Sequence, residues 1–192
     1  MNNSHHHQEA TGLKDRVIQE TGVNITECYQ CGKCTAGCPL NEDMDIMPNQ
    51  ILRMLQLELP GYEDKILSSM SIWLCLACDQ CYSRCPQEVL ISKAMDFLRQ
   101  ESIRQNKVNP KAKDILKFHE SFLNSVEKHG KLHELGLTIS YKLRSMNLMQ
   151  DISVAPAMLS KGKLHMFPHN VKNSKAIEKI FDKTKKNKGG EQ

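Results

Sequence analysis

The chain is predicted to be all-α, and three features of its 192 residues carry that expectation. Apolar residues recur at three and four positions in several stretches, as on one face of a helix. No stretch shows the period-two alternation of a half-buried strand. The third feature is a repeated cysteine run, "CYQCGKCTAGCP" at Cys28–Pro39 and "CLACDQCYSRCP" at Cys75–Pro86, in which the 36 residues between Cys38 and Cys75 read as helical.

Taken in order, Pro48 is placed to open a helix at its first position. Ile51, Leu52, Leu55 and Leu59 share its apolar face, and Pro60-Gly61 stops it. A short helix through "EDKILSSM" sets Ile66, Leu67 and Met70 on one side. Pro86 stands where a first helical residue would stand, ahead of an apolar face of Leu90, Ile91, Ala94, Phe97 and Leu98. Asn109-Pro110 breaks that helix and Pro110 opens the next, which carries Ile115, Leu116, His119, Phe122, Leu123 and Val126 as far as Gly130. Shorter helices are expected around 132–149 and 174–185. The expected division is a flexible 1–11, a cysteine-bearing helical domain over 12–106, a helical extension over 107–171 and a basic helix and tail over 172–192.

With 40% hydrophobic residues and only 5% aromatic, the core must be mostly aliphatic. No apolar run is long enough to span a bilayer, and "MNNSHHHQEA" lacks a basic segment followed by an apolar one. A cytoplasmic protein with no direct membrane insertion is therefore expected, and the Asn24-Ile25-Thr26 sequon has no use there. The three histidines of that N-terminus carry no assigned function. Charge is unevenly spread: residues 1–103 hold 8 basic and 14 acidic side chains, a net −6, and residues 104–192 hold 18 and 8, a net +10. The basic half reads either as a docking face or as a solubilising surface and tail. It has no basic stretch interleaved with aromatics and no standard recognition motif, so no nucleic-acid partner is expected.

Disulfides are rare in reducing compartments, where short repeated cysteine spacings point to metal. Thiolate is the soft ligand that iron in a cluster takes. Three cysteines at two-residue intervals let one short loop wrap three corners of a cubane, and Gly32 permits the tight turn, although Asp79 holds the corresponding place in the second run. The fourth cysteine, three residues on and followed by proline, is expected to leave its loop for a helix and point its sulfur elsewhere. Structural zinc usually takes two Cys-x2-4-Cys pairs, which is not this pattern. A thioredoxin-type Cys-x-x-Cys would need a βαβ context that is absent. The Cys-x2-Cys-x2-Cys-x3-Cys-Pro run resembles the bacterial ferredoxin signature, in which the fourth cysteine ligates the other cluster. Carried onto this chain, the resemblance implies two [4Fe–4S] clusters, one on Cys28, Cys31, Cys34 and Cys85, the other on Cys75, Cys78, Cys81 and Cys38.

Compact bacterial ferredoxins have short β-containing linkers, so the helical linker here moves the resemblance to the α-helical ferredoxin domain. Within that group, "KCTAGCP", "SIWLC" and the helix after the second run resemble the iron–sulfur C subunit of heterodisulfide reductase, over roughly residues 12–130. That resemblance implies a role in electron transfer, between a flavin- and Fe–S-containing A subunit and a catalytic B subunit. In this family the complex reduces the coenzyme M–coenzyme B heterodisulfide in methanogenesis. Soluble forms associate with a hydrogenase or formate dehydrogenase and couple the reaction to ferredoxin by flavin-based electron bifurcation. The catalytic partner's Cys-Cys-Gly motifs are absent from the sequence, as are Gly-x-Gly-x-x-Gly and Walker motifs, so no catalytic residue is expected. An Fe–S subunit of another respiratory or flavin oxidoreductase is an alternative reading, and a structural or sensory cluster protein is another.

Of the remaining residues, Trp73 reads equally as a cluster shield or as core. Lys33 and Arg84 inside the cysteine runs read as solvent-facing charges. His129 with His133, and His165 with His169, are not expected to form metal pairs.

Overall fold

The structure is a computed structural model that describes residues 12–145, 171 and 173–188. Among the described residues every regular element is a helix, as the sequence predicts. The chain divides into a unit ending at Ala112 and one beginning at Lys113.

The first unit is built on α1 (Leu13–Thr21), α3 (Pro48–Leu57), α4 (Tyr62–Leu67) and α7 (Ile91–Arg104). Pro48 opens α3, and Ile51, Leu52 and Leu55 are buried on one face. The helix ends at Leu57, with Glu58 in the left-handed region, so Leu59 falls outside it and stays exposed. Helices α4 and α7 pack together, and Ile66, Leu67, Met95 and Leu98 are buried in an aliphatic core that also takes Val17 and Ile25. Ionic contacts tie the core's edge: Arg16 of α1 bridges Glu63 at 2.6 Å and the buried Glu101 of α7 at 3.4 Å.

Helix α1 escapes the periodicity argument. Its buried positions are Leu13, Val17 and Thr21 at four-residue spacing, and only two of the three are apolar. The expected role of Pro86 is also corrected. Residues 86–90 form a turn with Glu88 at φ 51°, and α7 begins only at Ile91. Likewise a 3-10 turn, Asn41–Asp43, follows Cys38 where a helix was expected. In both runs the helical segment comes before the fourth cysteine, as α2 (Lys33–Ala36) and α6 (Gln80–Ser83).

Between the runs, Asp45 fixes the short helix α5 (Ser71–Leu74) that leads into Cys75. Its carboxylate accepts from Met70 N–H at 2.9 Å, from Ser71 N–H at 2.9 Å and from the Ser71 hydroxyl at 2.6 Å. The Ser71 hydroxyl accepts in turn from Ile46 N–H at 2.9 Å. Partial burial works to raise the carboxyl's pKa, but the hydrogen bonds from Ser71 and Met70 outweigh it and hold the pKa below the ordinary value. A carboxylate at a helix N-terminus is worth about 1 kcal/mol, so Asp45→Ala is expected to destabilise the unit by about that much in denaturant titrations. Because the folded pKa lies below the unfolded one, this contribution is present above the unfolded value of about 4 and is lost as the pH falls through the folded value. The wild-type and Asp45→Ala stability curves should therefore converge in acid.

The second unit contains α8 (Lys113–His129), α9 (Glu134–Ser145) and α10 (Ser174–Lys188). Helix α8 packs with both of the others. Phe118 meets Tyr141 edge-on at 5.9 Å between ring centroids, and Arg144 pairs with Glu120 at 2.8 Å. Phe122 and Leu123, expected on the apolar face of α8, are exposed.

Candidate iron–sulfur site

The two cysteine runs fold alike, residue for residue. Gln30 and Ala77, each preceding the second cysteine of its run, take left-handed backbones at φ 64° and 50°. Gly32 and Asp79, each following it, do the same at φ 76° and 57°. Asp79 therefore adopts the turn that glycine adopts in the first run, and its side chain is held by a hydrogen bond from the Ser92 hydroxyl of α7. The helical turns α2 and α6 follow and pack on each other. The residues before the two fourth cysteines also correspond, and they touch: a Cβ on Gly37 would lie 2.5 Å from Arg84 Cδ. The absence of a side chain at Gly37 leaves room for the Arg84 side chain to lie across it.

Left-handed backbone costs an L-residue about 1–2 kcal/mol. Exposed Ala77 bears that strain with no side-chain hydrogen bond to compensate. Ala77→Gly is expected to stabilise the protein by about 0.5–1 kcal/mol, read as a higher denaturation midpoint at unchanged iron content. An unchanged or lower midpoint would count against the strain.

None of the eight cysteines is paired in a disulfide. Cys75, Cys78 and Cys81 of the second run line one cavity together with Cys38 of the first, closed on its apolar side by Leu40, Met44, Leu74, Ile91 and Met95. Around Tyr29, the residue after Cys28, lie Cys28, Cys31 and Cys85, all within electrostatic reach of its hydroxyl, and Cys34 is in reach of Cys28. Cys28 Sγ accepts from Gln30 Nε2 and Cys85 Sγ from Val89 N–H, each at 3.4 Å. Gln56 of α3 anchors the first run by donating to the carbonyls of Ile25 at 3.0 Å and Cys28 at 2.7 Å.

Burial pushes the Cys34 and Cys75 thiols up, and Cys81 up to about 11. Such thiols are protonated without metal at neutral pH. Coordination deprotonates them, so loading releases protons and is favoured as pH rises. Among the described residues no three His, Cys, Asp or Glu side chains converge on a single ion. Thiolates around one zinc at about 2.3 Å sit within about 4 Å of each other. Those of a cubane, each on its own iron, are spread more widely. Four of the thiols, Cys38, Cys75, Cys78 and Cys81, share one cavity, and a thiolate set of this kind suits an anionic Fe–S cluster.

Trp73 is buried at 5% exposure and belongs to the core, one residue from the fully buried Ile72. Lys33 and Arg84 are exposed and, with Ala36, line an open hollow of about 360 Å³. The rings of His129 and His133 stand edge-on, 6.0 Å apart between centroids. His165, His169 and the N-terminal histidines lie outside the described residues. Sequence reasoning missed Asp45 and Arg99. For Arg99 a signal was present, since a cation next to Leu98 on the apolar side of α7 is out of pattern.

The helical fold and paired cysteine runs fit an α-helical ferredoxin-like domain, and residues 24–89 match the model of the 4Fe-4S dicluster domain. The chain is similar to the C subunits of heterodisulfide reductases. It is 37% identical over 93 residues to the iron-sulfur C subunit of the CoB--CoM heterodisulfide reductase of Methanopyrus kandleri, covering 48% of this chain and 47% of that one. It is 31% identical over 106 residues to the C subunit of the H(2):CoB-CoM heterodisulfide,ferredoxin reductase of Methanothermobacter thermautotrophicus, covering 55% and 56%. With the C 2 iron-sulfur subunit of the CoB--CoM heterodisulfide reductase of Methanocaldococcus jannaschii it shares 40% over 76 residues, covering 40% and 39%. The matched stretch thus spans about half the length of these curated relatives or less. Among the described residues no helix is long and apolar enough to cross a membrane.

Proposed function

We propose that this chain is the electron-transfer subunit of a heterodisulfide reductase complex and holds two [4Fe–4S] clusters. Cys28, Cys31, Cys34 and Cys85 hold the first, and Cys75, Cys78, Cys81 and Cys38 the second. The observation that carries the reading is the cavity that Cys38 shares with Cys75, Cys78 and Cys81, which supports a fourth ligand supplied by one run to the other. Each cluster, when bound, accepts and releases one electron at a time. The residues around them position and shield. Leu40, Met44, Ile91 and Met95 keep water from the second site, and Gln30 and the Val89 N–H donate to thiols of the first.

Two partners are proposed. The flavin-containing A subunit is the source of electrons, and the catalytic B subunit is the site where the coenzyme M–coenzyme B disulfide is reduced. A hydrogenase or formate dehydrogenase completes the larger assembly. The names of the relatives support this assignment, since they are the C subunits of reductases that act on the CoB–CoM heterodisulfide. The chain itself makes and breaks no substrate bond in this reading, works in the cytoplasm and binds no nucleic acid. Residues 12–106 form the cluster domain, and the basic residues beyond it, with the tail from 172, contribute to docking.

Anaerobic purification from the native source tests the proposal. A flavoprotein and a Cys-Cys-Gly-rich protein should co-purify with the chain in stoichiometric amounts. Purification with neither, or with the components of a different oxidoreductase, would contradict it.

A further inference from the structure

We propose that Arg99 raises the reduction potential of the cluster held by Cys75, acting as a fixed buried charge beside that site. The inference rests on the reading of Cys75 as a cluster ligand. Ser92, Met95 and Arg99 follow one another at three and four residues along α7, so they share one stripe of the helix. The first two of them line the cavity that contains Cys75, and Arg99 stands one turn further on. Helix α7 packs on α5, which ends at Leu74, immediately before Cys75.

Arg99 is held in an incomplete environment. Its side chain is 18% exposed, and both Nε and Nη2 are buried without a hydrogen-bond partner. Nη2 comes within 2.8 Å of Asp96 Oδ1, but not along the line of an N–H bond. Buried unpaired donors are costly and call for an explanation, and an anion nearby supplies one. Lys33 and Arg84 lie nearer the first group in sequence, but they are exposed and screened by water.

Reduction adds one electron and no proton, making a cubane with its four thiolates more negative by one charge. A buried cation favours that state, and its removal favours the oxidised one. Asp96 acts in the opposite sense.

The test is a potentiometric titration with dithionite, followed by electron paramagnetic resonance, on the full chain and on Arg99→Leu, Arg99→Lys and Asp96→Asn. Iron is counted in each sample. Arg99→Leu is expected to change one cluster's reduction equilibrium at least tenfold toward the oxidised form, a fall of about 59 mV in one midpoint, with the other unmoved. Arg99→Lys, which keeps the charge but not the fork of donors, should fall between. Asp96→Asn should raise the same midpoint. Arg99→Leu with full iron and unmoved midpoints, or with both midpoints moved equally, overturns the proposal. If Arg99→Leu does not load, the other two variants decide, and an Asp96→Asn midpoint that does not rise overturns it. Wild-type protein without reducible iron would instead sink the cluster reading on which the proposal stands, and the iron count separates the two failures.

Discussion

Stripping iron from the protein with a chelator under reducing conditions is expected to lower its thermal midpoint by more than about 10 °C and to broaden the transition. In the loops 28–38 and 75–85 only Cys34 is buried, so these segments bring almost no apolar surface to the fold. Their conformations are also strained, with Gln30, Ala77 and Asp79 all in the left-handed region. Metal ligation is the interaction able to hold such loops, and a structural metal site contributes on the order of 10 kcal/mol when it folds its own domain. Even a few kcal/mol of that corresponds to the stated shift, since each kcal/mol moves the midpoint of a domain of about 100 residues by about 4–8 °C. The aliphatic core of α1, α3, α4 and α7 does not depend on the loops. Circular dichroism should therefore show much of the helix retained at low temperature. A chelated, iron-free protein with the melting curve of the holoprotein would contradict the account.

Cys38→Ser and Cys28→Ser are each expected to remove about half of the cluster absorption, and the double variant nearly all of it. The structural reason is that Cys38 lines one cavity with Cys75, Cys78 and Cys81. The two lesions then fall in different clusters. Were Cys38 a ligand of the first cluster, the double variant would lose no more iron or absorption than either single one. Visible absorption and iron content of the three variants, purified anaerobically, distinguish the outcomes.

The helical class and the cysteine spacing were legible in the sequence because both are local. Ligands at intervals of two and three residues need no knowledge of the fold, and the apolar stripe of Ile51, Leu52 and Leu55 is complete within one helix. Thr21, buried on α1, interrupts an apolar pattern that would otherwise have marked the helix. Pro86 carries the signature of a helix start but is used in a turn, because Cys85 and Val89 are already committed to each other through an N–H···S bond. Asp79 is not a residue that sequence alone places in a glycine conformation. Its hydrogen bond from Ser92, thirteen residues on, is tertiary. Asp45 acts on α5 across 25 residues of chain, beyond the reach of any periodicity. The pairing of Gly37 with Arg84 was hidden for the same reason, since it depends on how the two runs meet.

Iron and acid-labile sulfide in anaerobically purified protein test the central claim most directly. Two cubanes, each on four of the eight cysteines, require about eight iron atoms and as many sulfides per chain. Four iron atoms, or stoichiometric zinc with no sulfide, would contradict it.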